Sequence, residues 1–375
     1  MAKTKRSSIR RRIFTLAAVG GIAAFAAAYR FAVRYRARVG FPTRFPVEGS
    51  PADFGLTFEE VAIPSGTLTL AGWFVPAGAA PARPRRARGS AAAMAPAPSE
   101  APTTPLGPGV VVVHGWESNR GRTFAHVRYL HAAGFHCLVF DVRGHGDSPS
   151  DHLPINTPEY ADDVAAAARW LAARPEVAHV GVLGHSMGGA GAIIAAAREP
   201  SIEAVVSMSA PADLVRMTRE TFALAEMDIP GPIATPLAWF TAAMLLAPRR
   251  HGLHEASATV AAETYRGPLL LIHGAQDHGV PVEHLDLIAS AAETHRIDAD
   301  PEVETLILSE FGHRWLYEDA GCRRAVASFF ARSLGSPVGL DPDAAGAAAS
   351  ACVVERPENP VSGFGALAGR PLARR

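Results

Sequence analysis

The hexapeptide Gly184-His185-Ser186-Met187-Gly188-Gly189 follows directly on the apolar run Val180-Gly181-Val182-Leu183 and leads into a helix-forming stretch, Ala190 to Arg198. Glycines at this spacing let a strand turn sharply into a helix with a serine at the tip. Such a turn presents a hydroxyl at the carboxyl edge of a sheet, beside backbone N–H groups able to hold an oxyanion. Small residues around a serine also serve plain close packing of a helix on a sheet. The pattern therefore acquires chemical meaning only if partners for the serine follow it.

A serine hydroxyl is a poor nucleophile, and it is activated by a base within hydrogen-bond reach and an acid that sets the tautomer of that base. After a turn of this kind the expected chain order is Ser, then Asp, then His. Asp277 follows the short apolar run Leu269-Leu270-Leu271-Ile272, which reads as a buried parallel strand, and His313 follows the strand-like stretch Val303 to Leu308. Both lie at strand exits, where active sites of open α/β sheets collect. With fifteen histidines in the chain, the alternatives must be weighed. His185 adjoins the serine and is expected to point away from it, while His273 and His278 crowd Asp277. Asp213, after Val205 to Ala210, also follows a strand and stays open as a second candidate for the acid.

Two N–H donors are needed for the oxyanion. One is that of Met187, and the second is expected from the loop after the run Val110-Val111-Val112-Val113, which ends in His114-Gly115-Trp116; this gives the N–H of Trp116.

These segments, with Asp141-Val142-Arg143-Gly144-His145-Gly146-Asp147-Ser148, Gly274 to Asp277 and Gly312-His313, resemble those of a serine hydrolase of the α/β-hydrolase superfamily. More narrowly the chain is similar to the Bem46-like and serine-aminopeptidase-like branch. The resemblance implies an α/β-hydrolase fold, a mostly parallel sheet flanked by helices with a helical lid insertion. It also implies hydrolysis of a small acyl ester, acylglycerol or lysophospholipid through Ser186, His313 and Asp277. Thioesterase, acyltransferase or peptidase chemistry would use the same three groups, and a membrane-tethered binding protein without turnover is a further alternative. Arg143 to Ser148 is read as a structural loop. A serine rather than an aspartate at 186 argues against dehalogenase or epoxide hydrolase chemistry.

Composition fits an enzyme domain with less ordered ends. A chain of 375 residues, 48% hydrophobic, can build one large core. Its formal charge is zero and no basic block falls within the domain, so nucleic acid is not expected as a partner. The three cysteines, Cys137, Cys322 and Cys352, form neither a zinc pattern nor a disulfide framework. No metal or cofactor is expected, and the partner is a small-molecule acyl substrate.

The amino terminus carries a second signal. Lys3, Lys5, Arg6 and Arg10 to Arg12 precede the Ala/Gly-rich apolar stretch Ile13 to Tyr29, which has about the minimum spanning length, and Arg30, Arg34, Arg36, Arg38 and Arg44 follow it. The expectation is a single membrane anchor at 13–29 in a basic segment 1–45. Export after cleavage, suggested by Arg11-Arg12 and Ala26-Ala27-Ala28, and a non-membrane helix are the alternatives. Basic residues flank both sides, so orientation is left open.

The catalytic domain is expected over 55–335. It begins with a hairpin, Phe58 to Ile63 and Thr67 to Val75, turning at Pro64 to Gly66. Residues 77–108, rich in Ala, Pro, Gly and Arg, read as a flexible insertion. Helices are placed at 122–133, 158–173, 188–198 and 321–334. The excursion 212–266, too long for a simple crossover and carrying Trp239 and Phe240, is expected to form a helical lid that supplies acyl-binding surface. Residues 336–375 read as a disordered tail.

Overall fold

The computed structural model describes residues 2–78, 106–337 and 340–354, with side chains described at Thr15 and from residue 18 onward. Within these residues an eight-stranded sheet runs in the order β1-β2-β4-β3-β5-β6-β7-β8. The strands are β1 (Glu59–Ser65), β2 (Leu68–Val75), β3 (Gly107–Val113), β4 (His136–Phe140), β5 (Val177–His185), β6 (Ala204–Met208), β7 (Leu269–Gly274) and β8 (Val303–Leu308). β2 lies antiparallel to β1 and β4, and every pairing from β4 through β8 is parallel.

The valine run explains why β3 is central. A strand covered on both faces reads as continuously apolar rather than alternating, and all of Gly107–Val113 is buried. Val111 and Val113 enter one apolar layer with Val164, Leu171 and Ile193, while Val110 and Val112 enter the other with Leu130, Val326 and Phe330. Helices α3 (Thr157–Ala172) and α4 (Met187–Ala196) therefore lie on one face, and α2 (Phe124–Ala132) and α9 (Ala320–Leu334) on the other. Asn156 caps α3, its side chain accepting from Thr157 N–H while Glu159 accepts from Asn156 N–H.

The loop Asp141 to Ser148 leaving β4 is pinned by buried charge. Asp141 accepts from the N–H groups of Arg120 and Asp147 at 2.7 and 2.8 Å and pairs with the Arg120 guanidinium. Arg143 pairs with Asp163 of α3 at 2.6 Å. This is the structural role expected of the loop.

Several elements differ from expectation. Pro64 and Ser65 belong to β1 and the hairpin turns at Gly66 and Thr67, because Ser65 Oγ–H is drawn inward to Asp163 at 2.6 Å. A helix α8 (Glu283–Glu293) separates β7 from β8. Part of the presumed tail is ordered: α10 (Pro342–Ala351) docks on α9 with Ala345 and Ala349 buried. Arg323 holds it there, donating to the carbonyls of Ala349 and Ser350 as well as to those of Tyr317 and Glu318. Residues 79–105, most of the expected insertion, and 355–375 lie outside the described residues. All three cysteines are free.

The excursion after β6 is helical, with α5 (Leu214–Leu224), α6 (Gly231–Leu246) and α7 (Ala258–Ala262). The amino-terminal helix α1 spans Ala2–Val39, longer at both ends than residues 13–29, and its carboxyl half packs on this excursion. Phe31 and Tyr35 meet Phe222 edge-on, Phe25 meets Phe240, and Arg36 donates to Met244 O. Among the described residues the helix long and apolar enough to cross a membrane is Gly231–Arg249; the side chains of Ile13, Phe14, Leu16 and Ala17 in the expected span lie outside them.

Candidate active site

β5 ends at His185 and α4 begins at Met187, so Ser186 alone makes the turn. Its backbone sits at φ 55°, ψ −121°, a conformation that costs a non-glycine residue on the order of 1–3 kcal/mol and persists only when the surroundings enforce it. The enforcement is visible. Ser186 N–H donates to Met208 O of β6 at 2.7 Å, and Ser186 O accepts from Gly189 and Ala190 N–H at 2.9 and 3.1 Å. A Cβ on Gly184 would stand 2.2 Å from Gly188 O, and one on Gly188 would stand 2.6 Å from His114 O. The turn closes only because both positions carry a hydrogen there.

β7 and β8 deliver the other two groups. His313 Nε2 lies 3.0 Å from Ser186 Oγ, and His313 Nδ1 lies 2.7 Å from Asp277 Oδ2. A carboxylate only accepts, so the proton of a neutral imidazole sits on Nδ1, and Nε2 is left to accept from the serine hydroxyl. Asp277 Oδ1 accepts from the N–H groups of Gly279 and Val280 at 2.9 and 2.8 Å. Burial opposes the charged form of Asp277 and is the largest influence on it. The hydrogen bonds from His273, His313 and Val280 N–H nevertheless outweigh burial and hold the carboxyl well below the usual carboxylate range. His273 Nε2 stands 2.8 Å from Val280 O against 3.3 Å from Asp277 Oδ2, so its N–H donates mainly to the carbonyl and its hold on Asp277 is the longer contact.

The alternatives weighed from the sequence lie elsewhere. The Asp213 carboxylate caps α5, accepting from Arg216 N–H at 2.8 Å, and His278 is exposed. His185 does not point away. Its Nε2–H donates to His313 O at 2.7 Å, and the two rings lie 5.0 Å apart. Burial first, then the neighbouring His313, pushes the His185 imidazole down to about 3, so it stays neutral beside His313. Nothing in the sequence disclosed this contact, since it joins the ends of two strands far apart in the chain.

Met187 is the first residue of α4, and its N–H has no partner four residues back within the helix. The loop after β3 approaches from the other side: a Cβ on Gly115 would stand 3.1 Å from Ser186 Cβ. His114 Nε2 accepts from Val142 N–H at 3.0 Å, so its proton is on Nδ1 and donates to Gly115 O at 2.7 Å. Burial lowers the pKa of His114 and keeps it neutral. All described peptides are trans, and a planar trans unit points its N–H opposite to its C=O. By fixing Gly115 O, His114 therefore aims the N–H of Trp116 away from itself. Met187 thus follows Ser186 directly, and Gly115, which precedes Trp116, lies beside it.

Ser186 and His313 open on a cavity of about 110 Å³, walled by Trp116, Glu117, Arg122, His126, Arg314 and Trp315 among others. No residue of 212–266 is in that wall. The loops after β3 and β8 reach the site first. Trp239 is exposed, and Phe240 is turned instead against Phe25 of α1.

A mostly parallel sheet carrying a serine at a strand-to-helix turn, hydrogen-bonded to histidine and aspartate from later strand exits, is the architecture of the α/β-hydrolase fold. More narrowly, residues 108–244 match the model of the serine aminopeptidase (S33) family. An uncharacterised protein of Mycobacterium tuberculosis is 30% identical over 200 residues, which are 52% of this chain and 62% of that relative's length. The pimeloyl-[acyl-carrier protein] methyl ester esterase of Xanthomonas campestris is 33% identical over 113 residues, 29% of this chain and 40% of its own. The chain thus spans less than two thirds of these relatives. Among solved structures, an esterase of Pyrococcus furiosus superposes with a TM-score of 0.57 at 22% identity, covering 78% of this chain and 100% of the esterase. The acylaminoacyl peptidase of Pyrococcus horikoshii gives 0.52 at 17% identity, covering 76% and 43%.

Proposed function

We propose that this protein is a serine esterase working through an acyl-enzyme. Ser186 Oγ attacks the ester carbonyl while His313 Nε2 takes its proton. Asp277 holds the imidazolium that results, and the N–H groups of Met187 and Trp116 receive the oxyanion. His313 then returns the proton to the departing alcohol, and water repeats the sequence on the acylated serine. The observation that carries this reading is the continuous hydrogen-bonded line from Ser186 through His313 to Asp277, at 3.0 and 2.7 Å, beside a cavity. The esterase among the sequence relatives supports the choice of an ester. The S33 family model favours a second reading, an amide bond cleaved by the same groups.

Purified full-length protein offered matched 4-nitrophenyl esters, thioesters and aminoacyl 4-nitroanilides separates these readings. Turnover of the esters at rates well above the anilides, absent in Ser186→Ala, is the expected result. Selective cleavage of the anilides would replace the ester reading with the peptidase one, and no turnover of any class would remove both.

The anchor belongs to the same proposal. Supporting it are the exposed side chains of Val19, Ile22, Phe25 and Tyr29 along α1 and of Ile233 and Trp239 on α6, with Arg30 and Arg34 at the edge of this apolar surface. The full chain is expected to stay with membranes through alkaline carbonate washing; quantitative release would rule out an anchor.

A further inference from the structure

The segment that carries His313 has no sheet ladder to hold it. Residues 309–315 run as turn and loop between the end of β8 and the one-turn helix Leu316–Glu318, and Trp315 sits in the left-handed region at φ 68°. Such a stretch keeps its place through individual hydrogen bonds. On the side of Asp277 they come from the exit of β7, where Gln276 N–H donates to Phe311 O at 2.9 Å and Gln276 Nε2 donates to Ser309 O at 3.1 Å. On the side of Ser186 the donor is His185 Nε2–H, which meets His313 O at 2.7 Å. A carbonyl oxygen accepts and cannot donate, so this contact places the His185 proton on Nε2. His185 ends β5 and immediately precedes Ser186, so one strand end carries both the serine and the donor. The loop after β3 backs the ring: a Cβ on Gly115 would stand 3.4 Å from His185 Nδ1.

We propose that His185 is a positioning residue, whose Nε2–H holds the backbone of His313 where the imidazole of that residue reaches Ser186 Oγ. It rests on the reading of Ser186, His313 and Asp277 as nucleophile, base and acid, and adds a fourth side chain to them. The bonds from the His313 ring to Ser186 Oγ and Asp277 Oδ2, at 3.0 and 2.7 Å, act on the ring nitrogens and leave the main chain behind them free to shift. One of them is also lost midway, because an acylated Ser186 has no hydroxyl proton to donate, and yet His313 Nε2 must then stay in place to activate water. The contact from His185 persists through that stage, since neither of its atoms reacts. It brings no charge to the site either: burial pushes the His185 imidazole down to about 3, so an imidazolium forming on His313 meets a neutral neighbour. Displacing a reacting group by about 1 Å costs on the order of 10²-fold in rate.

Three substitutions separate positioning from packing. His185→Gln carries an amide N–H at about the reach of Nε2, His185→Asn carries the same amide one methylene short, and His185→Phe fills the space without a donor. Each full-length variant is assayed with 4-nitrophenyl butyrate at neutral pH, and rates are referred to sites labelled to completion with a fluorophosphonate, so that any misfolded fraction drops out. His185→Asn and His185→Phe should lower kcat by about tenfold or more with KM within about twofold, and His185→Gln should stay within about threefold of wild type in both. If His185→Phe does not fold, the pair His185→Gln and His185→Asn decides by itself. A loss below tenfold in His185→Asn, a loss as large in His185→Gln, or a loss that lies in KM rather than kcat overturns the positioning role and leaves the esterase reading intact. A wild type that neither turns over the ester nor takes the label would remove both together.

Discussion

Asp277→Asn tests the electrostatic logic of the site atom by atom. Gly279 and Val280 N–H stand 2.9 and 2.8 Å from Oδ1, and two donors there require an acceptor. The amide oxygen of an asparagine must take that place, so its NH2 group falls at the Oδ2 position, 2.7 Å from His313 Nδ1. A donor cannot face the Nδ1 proton, and the imidazole is driven to the tautomer with its proton on Nε2. That proton then points at Ser186 Oγ, where an acceptor is needed. Inverting the tautomer with the geometry intact costs about 10⁴ in kcat in serine hydrolases of this logic, or about 5.5 kcal/mol of transition-state stabilisation. The assay is hydrolysis of 4-nitrophenyl butyrate at neutral pH per folded molecule, with Ser186→Ala as the zero. Asp213→Asn is the control: the side chain caps α5 and an asparagine oxygen caps about as well, so it should leave stability nearly unchanged and change kcat less than threefold. An Asp277→Asn enzyme within tenfold of wild type would refute the reasoning.

Further predictions concern the frame around the site. Gly184→Ala brings a Cβ to 2.2 Å from Gly188 O, a backbone atom that cannot swing aside; it should lower stability by about 1–3 kcal/mol or more in urea titration and reduce activity with it. Stability should fall as the pH drops below about 6.5. His126 and His185 have folded-state values near 4 and 3, below the unfolded 6.5, so the unfolded chain binds more protons in this window. The loss is about 1.4 kcal/mol per pH unit for each group until its folded value is reached, readable as a declining melting temperature between pH 6.5 and 4; a flat profile would contradict it. Arg323→Leu strands the carbonyls of Ala349 and Ser350 that Arg323 now satisfies, and limited proteolysis should then cut within 340–354 before it cuts the wild type.

Much of the site was legible because its chemistry is written locally. The turn at Ser186 is encoded by glycines within four residues of one another. Asp277 announces itself by following a short apolar strand and His313 by following a strand-like stretch, and the valine run of β3 reports burial on both faces. What escaped depends on contacts between distant segments. His185 was expected to turn away because sequence shows only its neighbours, whereas its partner is the carbonyl of His313 at 2.7 Å across the sheet edge. The excursion 212–266 was correctly read as helical, but which cavity it covers depends on α1, whose Phe31 and Tyr35 draw α5 toward themselves. The helix α10 did leave a trace, an Asp341 cap followed by Pro342 and alanines, and it was obscured by the low complexity around it.

The central claim, that Ser186 is a hydroxyl made nucleophilic by His313 and Asp277, is tested most directly by fluorophosphonate labelling of the intact protein followed by peptide mapping. The account predicts one adduct, on Ser186, formed rapidly in wild type, slowed by orders of magnitude in His313→Gln and absent in Ser186→Ala. Equal labelling of wild type and Ser186→Ala, or a folded wild type that takes no label, would contradict it.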